Sequence, residues 1–454
     1  MSDKDASGQK LHIAIVGSGP SGFYAAEALL RSDRDVRIDM IERLPTPYGL
    51  VRSGVAPDHP KLKQSIAVYD GIARNENFRF FGNVAAGRDI SIAELQQTHH
   101  AVLLACGAHE DRTLTIPGAG LRGNHSATEF VGWYNGHPDF RDRTFDLSHE
   151  TAVILGQGNV AADVCRILAK PVDELRTSDI AEHALNVLAE SKIREIHVVG
   201  RRGPAHAKFT AKELRELGEI VDVSAHARPE DCALNEESRL ELKDKANFNA
   251  AKNLEHFTKF ANPVETIGQR KIQFRFCLSP VALLGEDHVE GISFVRNRLE
   301  GPLFSQKASA TDQTETISCG LVLQSIGYRG VPLDGVPFDS VRGVVPNVAG
   351  RVVDGKNSLR GLYVTGWLKR GPTGIIGTNR ADSIETVENL LADASEEEAK
   401  SGADALLPLL EERVRWVSFA EWLKIDAAEI ERGKDKGKPR EKFTKIDEML
   451  KLLV

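Results

Sequence analysis

The sequence predicts an α/β protein made of two three-layer domains, the second inserted into the first. Three observations carry this. A strand–glycine loop–helix–strand unit opens the chain, a second such unit begins near residue 151, and a short apolar strand near residue 362 returns late to the first sheet. On these signals the first domain covers 1–108 and resumes over 332–454, ending in C-terminal helices. The inserted domain covers 109–331.

The elements follow from local pattern. Leu11–Val16 is an apolar run ending on glycine, Phe23–Leu30 is helical, and Val36–Ile41 is the next strand. Val102–Ala105 is a further buried strand, and Pro117–Gly120 has the composition of a crossing between domains. The second unit runs from the strand Thr151–Leu155 through a helix over Asn159–Lys170. A helical excursion over 172–191 precedes the strand Ile193–Val199. Residues 209–260 read as helical and heavily charged. Alternation over 271–277 and 289–296 predicts an antiparallel edge or flap. Leu321–Ile326 closes this domain and Leu362–Thr365 rejoins the first. The tail carries two helical stretches separated by GKDKGKPREK (433–442), a basic, turn-rich segment expected to be exposed.

Composition narrows the function. The chain has 454 residues, 41% hydrophobic and 27% charged, which suffices for more than one core. A net charge of −7 gives no general reason for a nucleic-acid partner. No apolar run reaches the roughly 18 residues of a membrane-spanning helix. The first ten residues, MSDKDASGQK, lack the apolar centre of a secretory signal and the Arg-rich pattern of a transit peptide, so the chain reads as cytoplasmic. Cys106, Cys165, Cys232, Cys277 and Cys319 lie far apart. They form no disulfide framework, metal-ligand set or redox dithiol, and no metal is expected.

The first glycine loop, Gly17-Ser-Gly19-Pro-Ser-Gly22, matches GxGxxG between a strand and a helix, with Glu42 ending the next strand. Gly17 permits the tight turn, Gly19 lets backbone approach a pyrophosphate, and Gly22 lets helix and strand pack. The helix N-terminus offers unpaired N–H groups to phosphate. Glu42 accepts from ribose hydroxyls and repels a 2′-phosphate. The second loop, Gly156-Gln157-Gly158-Asn159-Val160-Ala161, is followed by Gly200-Arg201-Arg202-Gly203, with no acid in the place of Glu42. Two guanidinium groups there suit a phosphorylated ribose. The pair of loops therefore implies a resident FAD and an exchanging NADP(H), with hydride passing between the cofactors.

These motifs extend into longer stretches: YGLVRSGVAPDHPKLK (48–63), GQGNVAADVCRIL (156–168), VGRRGPAHAKFTAKELREL (199–217) and VTGWLKRGPTGIIGTNR (364–380). Over nearly the whole chain the sequence resembles the ferredoxin–NADP reductases of the adrenodoxin-reductase type. That group shares the two-domain plan of glutathione reductase without its dithiol, and has Gly-Trp, here Gly366-Trp367, where the wider superfamily has Gly-Asp. The resemblance implies two Rossmann-like dinucleotide-binding domains, non-covalent FAD, NADP(H) and a ferredoxin of 2Fe-2S type as electron partner. It implies FAD contacts from Gly17, Gly19, Ser21 (where Ala is more usual), Gly22, Glu42, Leu50, Val84, Trp367, Gly374, Ile375 and Ile376. It implies NADP contacts from Gln157, Gly158, Asn159, Val160, Arg201, Arg202, Glu213 and Gly374. His59 and Asp163 match a pair between the flavin region and the face where the iron–sulfur protein docks. One departure concerns 235–260, rich in docking arginines in vertebrate members. Here it carries Lys243, Lys245, Lys252 and Lys259 diluted by acids. Two other functions fit parts of the pattern. One is a flavin subunit of a different reductase or synthase, whose relatives usually add a cysteine-rich cluster domain. The other is a nucleotide-binding protein without catalysis.

Overall fold

A computed structural model of the chain describes residues 10–262, 270–374, 376–394 and 399–454. In chain order, the first sheet begins with β1 (Leu11–Val16), β2 (Val36–Ile41), β3 (Phe78–Phe81) and β4 (Ala101–Leu104). The second sheet follows with β5 (Asn124–Ser126), β6 (Thr151–Leu155), β7 (Glu195–Val199), β8 (Val223–Ala227) and β9 (Arg270–Arg275). Three long strands come next, β10 (Leu278–Leu284), β11 (Gly291–Glu300) and β12 (Lys307–Ser318), and then β13 (Leu321–Gln324). The chain returns through β14 (Asn347–Val348), β15 (Arg351–Asp354) and β16 (Asn357–Val364).

The first sheet has the order β14-β15-β16-β4-β1-β2-β3, and the second β5-β13-β6-β7-β9-β8. Pairing is parallel throughout the second sheet and from β16 to β3 in the first. Val364 and Leu104 pair in register, so the late strand does join the first sheet. Between the sheets the chain crosses twice, and the crossings pair as a short antiparallel ribbon, Glu110–Asp111 against Tyr328–Arg329.

Strand order reverses at β1, flanked by β2 and β4, and at β6, flanked by β7 and β13. Each reversal opens a crevice at the strand's C-terminal end, the usual ligand position in open α/β sheets. Both glycine loops lie there. Parallel strands covered on both faces need apolar residues on both faces. β4 is buried at every residue, and separate apolar clusters cover the two faces of each sheet.

The structure corrects four expectations. Helix α1 (Pro20–Leu30) starts at Pro20, because proline suits the first helical turn. The charged stretch after 209 is not wholly helical: between α3 (Ala211–Leu217) and the helix Phe248–Ala261 it contributes β8, the parallel edge strand of the second sheet. The run at 271–277 is no flap, since β9 lies between β7 and β8 in the sheet interior. Only the second alternating run belongs to the antiparallel three-stranded layer β10-β11-β12.

The fourth correction concerns 433–442. Lys438, Glu441 and Lys442 are 5%, 3% and 3% exposed. Lys438 Nζ reaches Ile180 O at 2.8 Å and Lys442 Nζ reaches Asp179 at 3.1 Å. Asp179 also binds Lys63 at 2.7 Å. The segment is exposed over 434–437 and at Pro439, as expected, while Lys438, Glu441 and Lys442 turn inward and tie it to Asp179 and Ile180, their charges compensated in pairs as burial demands.

Candidate active site

The first glycine loop is built as its spacing requires. Gly17 has φ +108, and a Cβ there would lie 2.6 Å from Ala105 O. A Cβ on Gly22 would lie 2.1 Å from Gly17 O, whereas one on Gly19 would meet nothing within 4 Å. Two glycines therefore serve protein packing, and the middle one leaves room for a ligand at the N-terminus of α1. Glu42 is fixed across this loop: it accepts from Ser18 Oγ at 2.6 Å, Ser18 N at 3.1 Å and Leu44 N at 3.1 Å.

The return segment closes over the same loop. Gly366 has φ +70, and a Cβ there would lie 2.1 Å from Ser21 Oγ. Ser383 Oγ donates to Ser21 O at 3.0 Å, so Ser21 is held from two sides. Trp367 stacks on Tyr328 with centroids 5.7 Å apart. Its Nε1 is buried and finds no partner among the described residues. Gly374 has φ +88, and Ile376 packs on the first core. Ile375 lies outside the described residues. Leu50 is 46% exposed. Val84 is 1% exposed, and its N–H donates to Glu42 O at 2.9 Å, which fixes it beside the first loop's acid. The open cradle at Gly19 and the orphaned indole N–H fit a bound flavin nucleotide.

The second loop repeats the plan ahead of α2 (Asn159–Ala169). Gly156 has φ +137 and a Cβ there would lie 2.2 Å from Ser325 O, while a Cβ on Gly158 would meet nothing within 4 Å. Ala161 in the third place is fully buried. Gln157 turns its side chain inward to Arg275 O at 3.0 Å, leaving backbone at the loop. Asn159 Oδ1 accepts from Thr210 N at 2.8 Å. Beyond β7, the carbonyl oxygens of Arg201 and Arg202 accept from Asn297 Nδ2 at 2.8 Å and Cys277 N at 3.1 Å. The backbone is pinned, Arg201 is exposed and Arg202 half-buried. Burial lowers the Arg202 pKa and neighbouring Arg201 adds to this, against the pull of Glu241.

His59, Asp163 and Glu213 meet in a cluster between the domains whose centre is Arg166. Arg166 is 1% exposed. It binds Asp58 through two bonds of 2.6 and 3.0 Å, Asp163 at 2.6 Å and Glu213 at 3.0 Å. Asp58 also holds Lys170 at 2.9 Å. His59 Nδ1 faces Asp163 at 3.9 Å and Glu213 at 3.7 Å, and its Nε2 meets Glu216 at 2.9 Å. Glu213, expected beside the adenosine ribose, has its carboxylate engaged here. Burial by itself would raise the Asp58 carboxyl, but Arg166 and Lys170 hold it well below the usual range. Asp163 is raised by burial against the pull of Arg166, and Glu213 by burial and then by Asp163. His59, Glu213 and Glu216 bring ligand-type atoms within 4.8 Å of one another. The two ring nitrogens face different carboxylates, which is a hydrogen-bonded rather than a metal-centred arrangement. Sequence reading missed Asp58, Arg166 and Glu216. The available signal was an arginine on the buried side of α2, next to Cys165 and Ile167.

Fold and site together define an α/β oxidoreductase with two dinucleotide loops and no dithiol, all five cysteines being free. Residues 11–252 match the family described as pyridine nucleotide-disulphide oxidoreductase. The mitochondrial NADPH:adrenodoxin oxidoreductase of Arabidopsis thaliana is 45% identical, over 98% of this chain and 96% of the relative. NADPH-ferredoxin reductase FprA of Mycobacterium leprae is 44% identical, over 97% of this chain and 98% of the relative. The structure of Mycobacterium tuberculosis FprA in complex with NADPH superposes with a TM-score of 0.92 at 41% identity, covering 98% of this chain and all of that one. The chain belongs to the pyridine nucleotide-disulphide oxidoreductase family, as one of its adrenodoxin-reductase type.

Proposed function

We propose that the chain is a ferredoxin–NADP reductase that holds FAD non-covalently at the first glycine loop and exchanges NADPH at the second. One observation carries this reading: two loops of the same build end in opposite charge, Glu42 after the first and Arg201-Arg202 after the second. Gly17, Gly19, Ser21, Gly22, Glu42, Leu50, Val84, Trp367, Gly374, Ile375 and Ile376 would hold FAD. Gln157, Gly158, Asn159 and Val160 would meet the NADPH pyrophosphate, Arg201 and Arg202 the 2′-phosphate, and Gly374 the nicotinamide side. Domain limits at 1–108, 109–331 and 332–454 belong to the same proposal.

When bound, a flavin accepts a hydride and releases electrons singly, which suits a 2Fe-2S ferredoxin as partner. The chain supplies orientation and charge. Its two helix N-termini present N–H groups to phosphate. Arg166 keeps the domains together beside the loop that carries NADPH, and His59 Nε2 lies within hydrogen-bond distance of Glu216 at 2.9 Å. Glu213, whose carboxylate accepts from Arg166, would lie near the adenosine ribose of NADPH. We place the enzyme in the cytoplasm. No helix among the described residues is long and apolar enough to cross a membrane. The test is NADPH-driven cytochrome c reduction, with and without added 2Fe-2S ferredoxin. Reduction that depends on ferredoxin supports the proposal, and a flavoprotein that reduces neither ferredoxin nor cytochrome c refutes it.

A further inference from the structure

The second glycine loop carries no charged residue. To a pyrophosphate it offers backbone N–H groups, the Asn159 amide and the dipole of α2, and no charge. The segment 203–210 crosses over this loop. Lys208 N donates to Gln157 O at 2.7 Å, and Lys208 pairs with Gly158 as an isolated parallel bridge. Two residues on, Thr210 N is held by Asn159 Oδ1 at 2.8 Å. Lys208 is therefore clamped by its backbone beside the one glycine in the loop whose Cβ position is open.

Side chains alternate along this extended stretch. Ala207 and Phe209 are buried at 5% and 0%, so Lys208 stands on the opposite, exposed face. His206 is occupied by Glu241 at 3.2 Å, whereas Lys208 makes no ion pair among the described residues. The His206 pKa is lowered by burial first, then by Arg202, with a smaller contribution from Lys208. Lys208 and Arg202 thus both lie near His206, whose ion-pair partner is Glu241.

We propose that Lys208 binds the pyrophosphate of the visiting dinucleotide, so that its two kinds of phosphate are read by different cations. Arg201 and Arg202 take the ribose phosphate, and Lys208 takes the bridging one. This rests on the NADPH reading of the second loop. The ammonium on a flexible stem suits a phosphate approached from the side, where a fixed fork is not required.

The experiment is titration of the full-length holoprotein with NADP+, NAD+ and 2′-AMP, for wild type, Lys208→Ala, Lys208→Arg and Arg202→Ala. Lys208→Ala weakens NADP+ and NAD+ by a common factor, roughly three- to tenfold, and leaves 2′-AMP unchanged. Lys208→Arg retains most of the affinity. Arg202→Ala weakens NADP+ and 2′-AMP and spares NAD+. Unchanged NADP+ affinity in Lys208→Ala overturns the proposal, as does an equal loss for 2′-AMP, which would put Lys208 on the ribose phosphate. Failure of the wild type to bind NADP+ overturns the parent reading as well, and so is distinguishable from failure of the lysine assignment.

Discussion

Arg166 and Asp58 form a two-point ion pair between the domains, with Nε–Oδ2 at 2.6 Å and Nη2–Oδ1 at 3.0 Å, both side chains almost completely buried. Arg166 lies two turns along the helix whose N-terminus faces the second nucleotide site. Asp58 directly precedes His59. Whatever fixes this pair fixes the second glycine loop against the first domain. Replacing Arg166 by Leu leaves Asp58, Asp163 and Glu213 buried without their cation. Removal of one partner from a buried ion pair costs about 3–5 kcal/mol, so urea unfolding of Arg166→Leu should show a loss of that size. Lysine in its place cannot make the two-point contact and should recover only part of it.

The glycines separate packing from ligand access. At Gly158 an added Cβ meets no protein atom within 4 Å, and the backbone there is extended at φ −122. Gly158→Ala should leave the far-ultraviolet circular dichroism and flavin content unchanged, yet weaken NADP+ by roughly tenfold or more because the methyl occupies the phosphate's approach. At Gly22 the Cβ would sit 2.1 Å from a backbone oxygen, so Gly22→Ala should lower soluble yield and flavin content together.

The paired arginines set nucleotide choice. Losing charge-assisted contacts to one phosphate should cost roughly 2–4 kcal/mol, which is about 30- to 1000-fold in affinity. Arg201→Ala with Arg202→Ala should raise the NADPH KM by a factor in that range and leave the NADH KM within about threefold. A parallel loss of both would show that the arginines do not read the 2′-phosphate.

Asp179 is the buried anion to which the C-terminal segment is tied, bound by Lys63 and Lys442. Burial pushes Lys442 down to about 7 despite the attraction of Asp179. Asp179→Asn removes the anion that holds both buried lysines in their charged form, and urea unfolding at pH 6, where they are protonated in the unfolded chain, should record a loss of about 3–5 kcal/mol. Adding Lys442→Met to that variant should return part of it. Acid should act on the same contacts. Burial disfavours the charged forms of Asp58 and Asp179, but Arg166 with Lys170, and Lys442 with Lys63, hold both carboxyls below their unfolded value of about 4. Their stabilisation is complete above that pH and is lost as pH falls below it. The gap in thermal unfolding temperature between wild type and Asp58→Asn should therefore be constant from pH 7 to 5 and close from about pH 4 downward.

Sequence reading found what depends on local pattern. Leu11–Val16, Val36–Ile41 and Thr151–Leu155 were legible as apolar runs ending on glycine, and the charge contrast between Glu42 and Arg201-Arg202 needed only position after a strand. It missed what depends on partners far along the chain. Val223–Ala227 has too little apolar character to read as a strand, yet it is one because β9 offers it an edge. Lys438 and Lys442 look like solvated charges until Ile180 O and Asp179 appear opposite them. Arg166 sits in an otherwise apolar helix face, and its role exists only because Asp58, more than a hundred residues earlier, lies against it.

The most direct test of two sites with opposite charge logic is an anaerobic absorbance titration of the purified holoprotein, with NADPH and NADH added separately. The account predicts a yellow protein whose visible flavin band bleaches with stoichiometric NADPH and persists with the same amount of NADH. A protein without flavin absorbance, or one bleached equally by both nucleotides, would contradict it.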